Sequence, residues 1–207
     1  MPDLSNNSPS PHVELAKAAI RAFVGRGEKV YVDAGGALSA GGNGSGGGGA
    51  AASIADFSAL LAERAGVFVS IKKRGALRGC IGTISPATAS LAEEIVENAI
   101  SACSRDPRFD PVAPEELGDL TVSVDVLSTP EPIGSPVDLD AARYGVIVSK
   151  GYRRGLLLPN LEGVDSVADQ ISIALSKAGI RPSEQYAMER FLVVRYEQGG
   201  SMGKSAR

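Results

Sequence analysis

The chain has 207 residues, 43% hydrophobic and 22% charged, with a formal net charge of −3. This balance excludes a collagen or a wholly disordered chain and argues against a generally basic nucleic-acid binder. No stretch reaches the roughly 18 consecutive apolar residues of a membrane-spanning helix. Residues 1–7 lack the basic start and apolar run of a secretory signal, so a cytoplasmic protein of one or two domains is expected. Two cysteines, Cys80 and Cys103, cannot staple a chain this long and suit a reducing compartment. The lone histidine, His12, joins no ligand-spaced cluster, and no metal site is expected. Ser-His-Asp or Cys-His catalysis would depend on that one imidazole near the N-terminus.

Residues 1–9 are polar and read as loose. A helix follows: Ser10 can cap it, Pro11 suits its first position, and Leu15, Ala19, Ile20, Phe23 and Val24 recur at helical spacing. Gly25 and Gly27 end it, and Val30-Tyr31-Val32 reads as a short strand. Residues 33–53 contain nine Gly, six Ala and three Ser. Such a tract buries too little apolar surface to order itself, so 35–49 reads as a flexible loop. It has no Lys or Arg, which argues against a phosphate-binding loop.

Residues 54–64 read as a short helix with Ile54, Phe57, Leu60 and Leu61 on one face. A strand at 67–71, a turn at 72–75 and a glycine-interrupted returning strand at 76–84 come next. Ser90 and Glu93 form a capping box for a helix whose inner face carries Leu91, Ile95, Ala99, Ala102 and Cys103. Pro107 stops it. Residues 120–127 alternate, with Leu120, Val122, Val124 and Val126 on one side and Thr121, Ser123 and Asp125 on the other. Pro130, Pro132 and Pro136 mark 128–138 as a loop, and 139–143 reads as one helical turn. Strands at 145–149 and 155–158 flank the basic turn Lys150-Gly151-Tyr152-Arg153-Arg154. A helix at 166–178 stops at Gly179, a last strand spans 187–196, and 198–207 is a polar tail. The pattern is α+β with mostly antiparallel strands.

The chemistry-bearing run is Leu77-Arg78-Gly79-Cys80-Ile81-Gly82-Thr83. Residues 65–92 contain no acid, while Lys72, Lys73, Arg74 and Arg78 are all present. A positive field favours thiolate over thiol, which makes Cys80 a candidate nucleophile. Gly79 and Gly82 would let a ligand approach the backbone. The same pattern also describes a small buried cysteine beside a strand bulge. Asp106 and Asp125 are the candidate acid/base carboxylates, against the plainer readings of a turn residue and a solvated strand residue. Cys103 reads as structural. The basic turns at 72–74 and 150–154 could attract an anion, and Tyr152 could stack on a ring, though charged hairpin tips are commonly just solvated.

The Leu-Arg-Gly-Cys-Ile-Gly run resembles the signature of the AMMECR domain family, specifically the A component of the AmmeMemoRadiSam system. The resemblance continues through Arg105-Asp106-Pro107-Arg108-Phe109, Ser123-Val124-Asp125-Val126-Leu127, Tyr144-Gly145-Val146-Ile147-Val148, Arg154-Gly155-Leu156-Leu157-Leu158-Pro159 and Leu161-Glu162-Gly163-Val164-Asp165. It implies an α+β fold of two unequal subdomains around antiparallel sheet. The domain would span 10–197, with a Gly/Ala/Ser-rich insertion at 33–53 and disordered ends at 1–9 and 198–207. It also implies association with a Memo-type protein and a radical S-adenosylmethionine protein.

Two functions are weighed on these residues. The first is an enzyme, or enzyme subunit, acting on a small anionic substrate. Cys80, Asp106 and Asp125 would be its catalytic residues, and Arg78, Gly79, Ile81, Gly82, Arg108 and Arg154 its substrate contacts. The second is a non-catalytic binding or adaptor module for the two partners, with RNA or nucleotide binding a more distant option. No nucleotide fingerprint or iron–sulfur cysteine motif is present, so no tightly held cofactor is expected.

Overall fold

A computed structural model describes residues 10–41 and 56–198, and the backbone of 202–204. Its elements in chain order are α1 (Pro11–Arg26), β1 (Val30–Val32), β2 (Leu38–Ala40), α2 (Ser58–Ala62), β3 (Val67–Lys73), β4 (Ala76–Gly82) and α3 (Leu91–Ser104). There follow β5 (Leu120–Leu127), β6 (Glu131–Ile133), β7 (Gly145–Lys150), β8 (Arg153–Leu157), α4 (Val167–Ala178), β9 (Ala187–Phe191), β10 (Val193–Glu197) and β11 (Met202–Lys204). Short 3-10 turns cover Pro114–Asp119 and Pro136–Asp138. The class is α+β, as the element pattern predicts.

The chain divides into two compact units, one of Met1–Val126 with Arg195–Met202 and one of Leu127–Val194 with Gly203–Arg207. The first unit is built on a sheet of order β11-β10-β5-β3-β4, with β3 antiparallel to both β4 and β5. Alternation sends Val67, Val69, Ile71, Val122 and Val124 to one face, where they join Leu15, Ile20, Leu91, Ile95 and Ala99 from α1 and α3 in one core. Each fully buried Leu, Ile or Val contributes about 1.5–3 kcal/mol by leaving water. The second unit has an antiparallel sheet of order β6-β9-β7-β8. There α4 closes a core of Val146, Val148, Leu157, Ile171, Ala174 and Leu175.

The capping reasoning for α3 holds: Ser90 Oγ accepts from the Glu93 N–H at 3.2 Å. At α1, Ser10 makes no such bond; its hydroxyl pairs with His12 Nδ1 instead. That helix runs through Gly25 and stops at Gly27, whose φ of 68° places it in the left-handed region.

Several boundaries differ from the sequence expectations. The start of the Gly-rich tract forms a β1–β2 hairpin, because Asp33 Oδ1 accepts from the N–H groups of Gly35 and Ala37 and turns the chain. The remainder of the tract, 42–53, lies outside the described residues, as do 1–9 and the first two positions of the 54–64 helix. What is described of that helix is the five residues of α2. The proline-rich loop contains β6, with Pro132 opposite Glu189. Pro132 is tolerated because β6 is an edge strand. Residues 140–144 make the one helical turn expected there, closed by Tyr144 N–H to the Asp140 carbonyl and not continued into a helix. The last strand is two strands: Ser128 holds Leu192 through its backbone N–H and its hydroxyl, and β9 and β10 join different sheets on either side. In the expected polar tail, 202–204 form β11 beside β10.

Candidate active site

β4 is an edge strand of the first sheet. Its alternation turns Gly79 and Ile81 toward the helices and Cys80 to the outer face. Gly79 lies so close under α3 that a Cβ would fall 2.2 Å from the Ala102 carbonyl oxygen. Ile81 packs against the core. On the outer face Cys80 stands opposite Ser70, which in turn stands opposite Ser123. Ser70 Oγ donates to Cys80 Sγ at 3.2 Å, and Cys80 is partly exposed. The ring of Phe68 occupies the space over Gly82.

The Cys80 peptide is held from off the sheet edge. Asp106 Oδ2 accepts its N–H at 2.8 Å, and Arg108 Nη2 donates to its carbonyl at 3.2 Å. Asp106 and Arg108 are locked together by Nε–Oδ1 and Nη2–Oδ2 bonds of 2.9 and 2.7 Å. The segment 106–108 thus supplies the pairing that a further strand would otherwise give. The Arg108 guanidinium holds the Asp106 carboxyl far below the usual carboxylate range; burial opposes this, and the N–H groups of Cys80 and Arg108 add to it.

A second braced guanidinium lies on β10. Arg195 donates to Asp125 Oδ1 and Oδ2 at 2.7 and 2.9 Å. Asp125 is therefore a buried ion-pair partner, its side chain 1% exposed, rather than a solvated strand residue. Arg108 and Arg195 both interact electrostatically with Cys80, which helps keep each guanidinium charged after its own carboxylate partner. Neither Nη1 donates a hydrogen bond among the described residues.

The basic run read from the sequence is spent locally. Arg78 donates to both oxygens of Glu116 and to the carbonyls of Asp110 and Pro111. Lys73 pairs with Glu116 and Arg74 with Asp119. These bonds hold Glu116 well below its usual range, Arg78 first among the causes. Arg154 lies in the second unit and pairs with Glu189 at 3.0 Å. Of the sequence candidates, the fold brings Cys80, Asp106 and Arg108 into direct contact.

His12 sits on the helical side. Its ring stacks on Tyr196 at 3.8 Å, and burial lowers its pKa to about 4. Cys103 is buried against the Ile100 carbonyl, and burial raises its thiol to about 11. Among the described residues no group of three His, Cys, Asp or Glu side chains could hold a metal ion. No described helix is long and apolar enough to cross a membrane.

Sequence reading missed Ser70, Arg195 and Glu94. Glu94 is 1% exposed and accepts from Thr83 Oγ1, Thr88 Oγ1 and the N–H groups of Ala87 and Thr88. Burial pushes its pKa up, but these donors together bring it below the usual value. It fastens the loop after β4, and Asn98 reinforces it by donating to Thr83 Oγ1 and the Val67 carbonyl. Glu94→Leu leaves the Ala87 and Thr88 N–H groups unpaired and should cost about 2–4 kcal/mol in urea denaturation. Glu94→Gln keeps an acceptor there and should cost less. Equal losses for the two would show that these hydrogen bonds do not hold the loop.

The α+β fold defines a class of domain, and similarity to known proteins names the family. The AMMECR1 family model matches residues 13–199, and the chain belongs to that family. A Thermotoga maritima protein is 54% identical over 140 residues, covering 67% of this chain and 80% of its own length. A Clostridium acetobutylicum protein is 54% identical over 135 residues, covering 65% of this chain but 29% of that longer protein. The crystal structure of an uncharacterized Pyrococcus horikoshii protein superposes with a TM-score of 0.72 at 30% identity, covering 89% of this chain and 88% of that one.

Proposed function

We propose that the outer face around Cys80 is a site for a small anionic substrate, with Cys80 as the attacking sulfur. The observation that carries it is the partly exposed Sγ, bonded by the Ser70 hydroxyl and within electrostatic reach of Arg108 and Arg195. The hydroxyl donor and the Arg108 guanidinium on the Cys80 carbonyl set the sulfur in a polar, cationic surround that suits an anionic reagent. The Nη1 atoms of the two arginines, which donate no hydrogen bond among the described residues, are the donors for the substrate's acidic group.

Roles then follow from the bonds. Asp106 has both oxygens engaged and its proton affinity lowered, so it is a positioning residue for the Cys80 peptide. Asp125 positions Arg195. Arg78 anchors the segment 110–116. The Cys80 N–H is already used by Asp106, and Gly79 and Ile81 pair with Ile71 and Val69. The N–H groups of 79–81 therefore offer little to an oxyanion, and the arginines take that part.

Alkylation read by mass spectrometry tests this. The expected result is that native Cys80 reacts severalfold faster with iodoacetate, relative to iodoacetamide, than free cysteine does. Arg108→Gln should reduce that preference, and Cys103 should stay unlabelled until the protein unfolds. A silent Cys80, or one with no preference for the anionic reagent, would overturn the reading. Function that survives intact in Cys80→Ser would overturn the assignment of Cys80 as the attacking sulfur.

A further inference from the structure

The second unit carries a feature that the Cys80 site does not use. At the β7–β8 hairpin tip, Gly151 takes a φ of 59° and Tyr152 projects with 97% of its surface exposed. Left-handed glycine makes a tight turn, so the ring stands on a short two-residue tip rather than on a long loop. Beside it, one carboxylate gathers three cations. Glu184 accepts from Lys150 Nζ and Arg153 Nη2, each at 2.9 Å, and Arg181 Nε lies 3.7 Å away. Arg153 Nη1 also bonds the Gly179 carbonyl at 2.6 Å, fixing it at the end of α4.

Three cations on one carboxylate leave an excess of two positive charges. The Glu184 side chain is 14% exposed, while Lys150, Arg153 and Arg181 are 40%, 29% and 83% exposed. The acid is at the base and the cations face out. It lowers the ordering cost of their heads before a partner arrives. Strand alternation splits the basic turn: Arg153 joins this cluster, whereas Arg154 pairs with Glu189 of β9. An exposed tyrosine between Lys150 and Arg153 in sequence, whose charged heads Glu184 holds, has the composition of an interface anchor, where aromatic and arginine side chains carry most of the binding energy.

We propose that the β7–β8 tip, with Tyr152 as anchor and Lys150, Arg153 and Arg181 around it, docks an acidic segment of a partner protein. Charge complementarity selects the acidic segment. A single exposed ring gives no stacking track for successive bases, which disfavours a nucleic-acid strand. The docking does not depend on the chemistry of Cys80.

The test is fluorescence anisotropy with the whole protein and a labelled twelve-residue peptide of four Glu-Asp-Leu repeats. A single-stranded oligonucleotide and phosphatidylserine vesicles serve as competing probes. Saturable, salt-sensitive peptide binding is expected. Arg181→Glu and Tyr152→Ala change largely exposed side chains and should each weaken it at least fivefold without altering the circular dichroism spectrum. Arg154→Glu, off the cluster, should change it less than twofold. Cys80→Ser should leave it unchanged, which separates this site from the thiol site. Absence of peptide binding at low salt would overturn the proposal. So would equal losses in Arg181→Glu and Arg154→Glu, or tighter binding of the oligonucleotide or the vesicles through the same residues.

Discussion

Gly79→Ala is expected to be the most damaging single methyl in the first unit. The new Cβ would stand 2.2 Å from the Ala102 carbonyl oxygen, so β4 and α3 must separate. The obstacle is backbone, and no rotamer change removes it. Overpacking of this kind costs about 1–3 kcal/mol, occasionally more, and this contact belongs at or above the top of that range. Urea denaturation should show a fall of about 3 kcal/mol, against a change near zero for Gly118→Ala, where nothing lies within 4 Å. A Gly79→Ala protein as stable as Gly118→Ala would mean that the helix does not pack on the strand this closely. The second unit uses the same device: a Cβ on Gly155 of β8 would lie 2.2 Å from the Ala174 carbonyl of α4. Both glycines are therefore read as packing requirements.

Asp106→Asn is expected to have the next largest effect, with a pH signature. The amide nitrogen would face Arg108 or the Cys80 N–H, where the carboxylate now accepts four hydrogen bonds. Losing charge-assisted bonds at a residue 4% exposed should cost about 2–3 kcal/mol near pH 7. The folded carboxyl is held below its unfolded value of ~3.9. Its stabilisation is thus complete above that value and is lost as pH falls through and below it. The gap between wild type and Asp106→Asn should shrink steadily below about pH 4. A gap that persists unchanged to pH 2 would mean the carboxylate charge is not what holds the Cys80 peptide. Because Asp106 touches the Cys80 N–H, the variant should also slow Cys80 alkylation, whereas Gly118→Ala should not.

The local code of the chain was legible wherever short-range chemistry decides. Ser90 with Glu93 marked the start of α3, Gly179 the end of α4, and alternation at 120–127 the strand β5. Residues 77–82 lie on β4, within the strand expected at 76–84, and Cys103 sits inside the core as its helical position requires. Where the elements differed from the local code, a side chain near or far in sequence redirected the backbone. Asp33 folded part of a Gly-rich tract into a hairpin, and Ser128 divided one apparent strand between two sheets.

By itself, then, the sequence determined the α+β class, the family, the glycine–cysteine strand and the basic hairpin tip. These depend on period, caps and turns within a few residues. Only the tertiary structure decided what surrounds Cys80. Arg195 reaches Asp125 across 70 positions, Ser70 meets Cys80 through strand register, and Glu116 absorbs Lys73 and Arg78 from 43 and 38 positions away. A run of positive residues in sequence carries no information about which acids will meet it. Charge is cancelled or left standing by neighbours in space, and those are chosen by sheet order and packing.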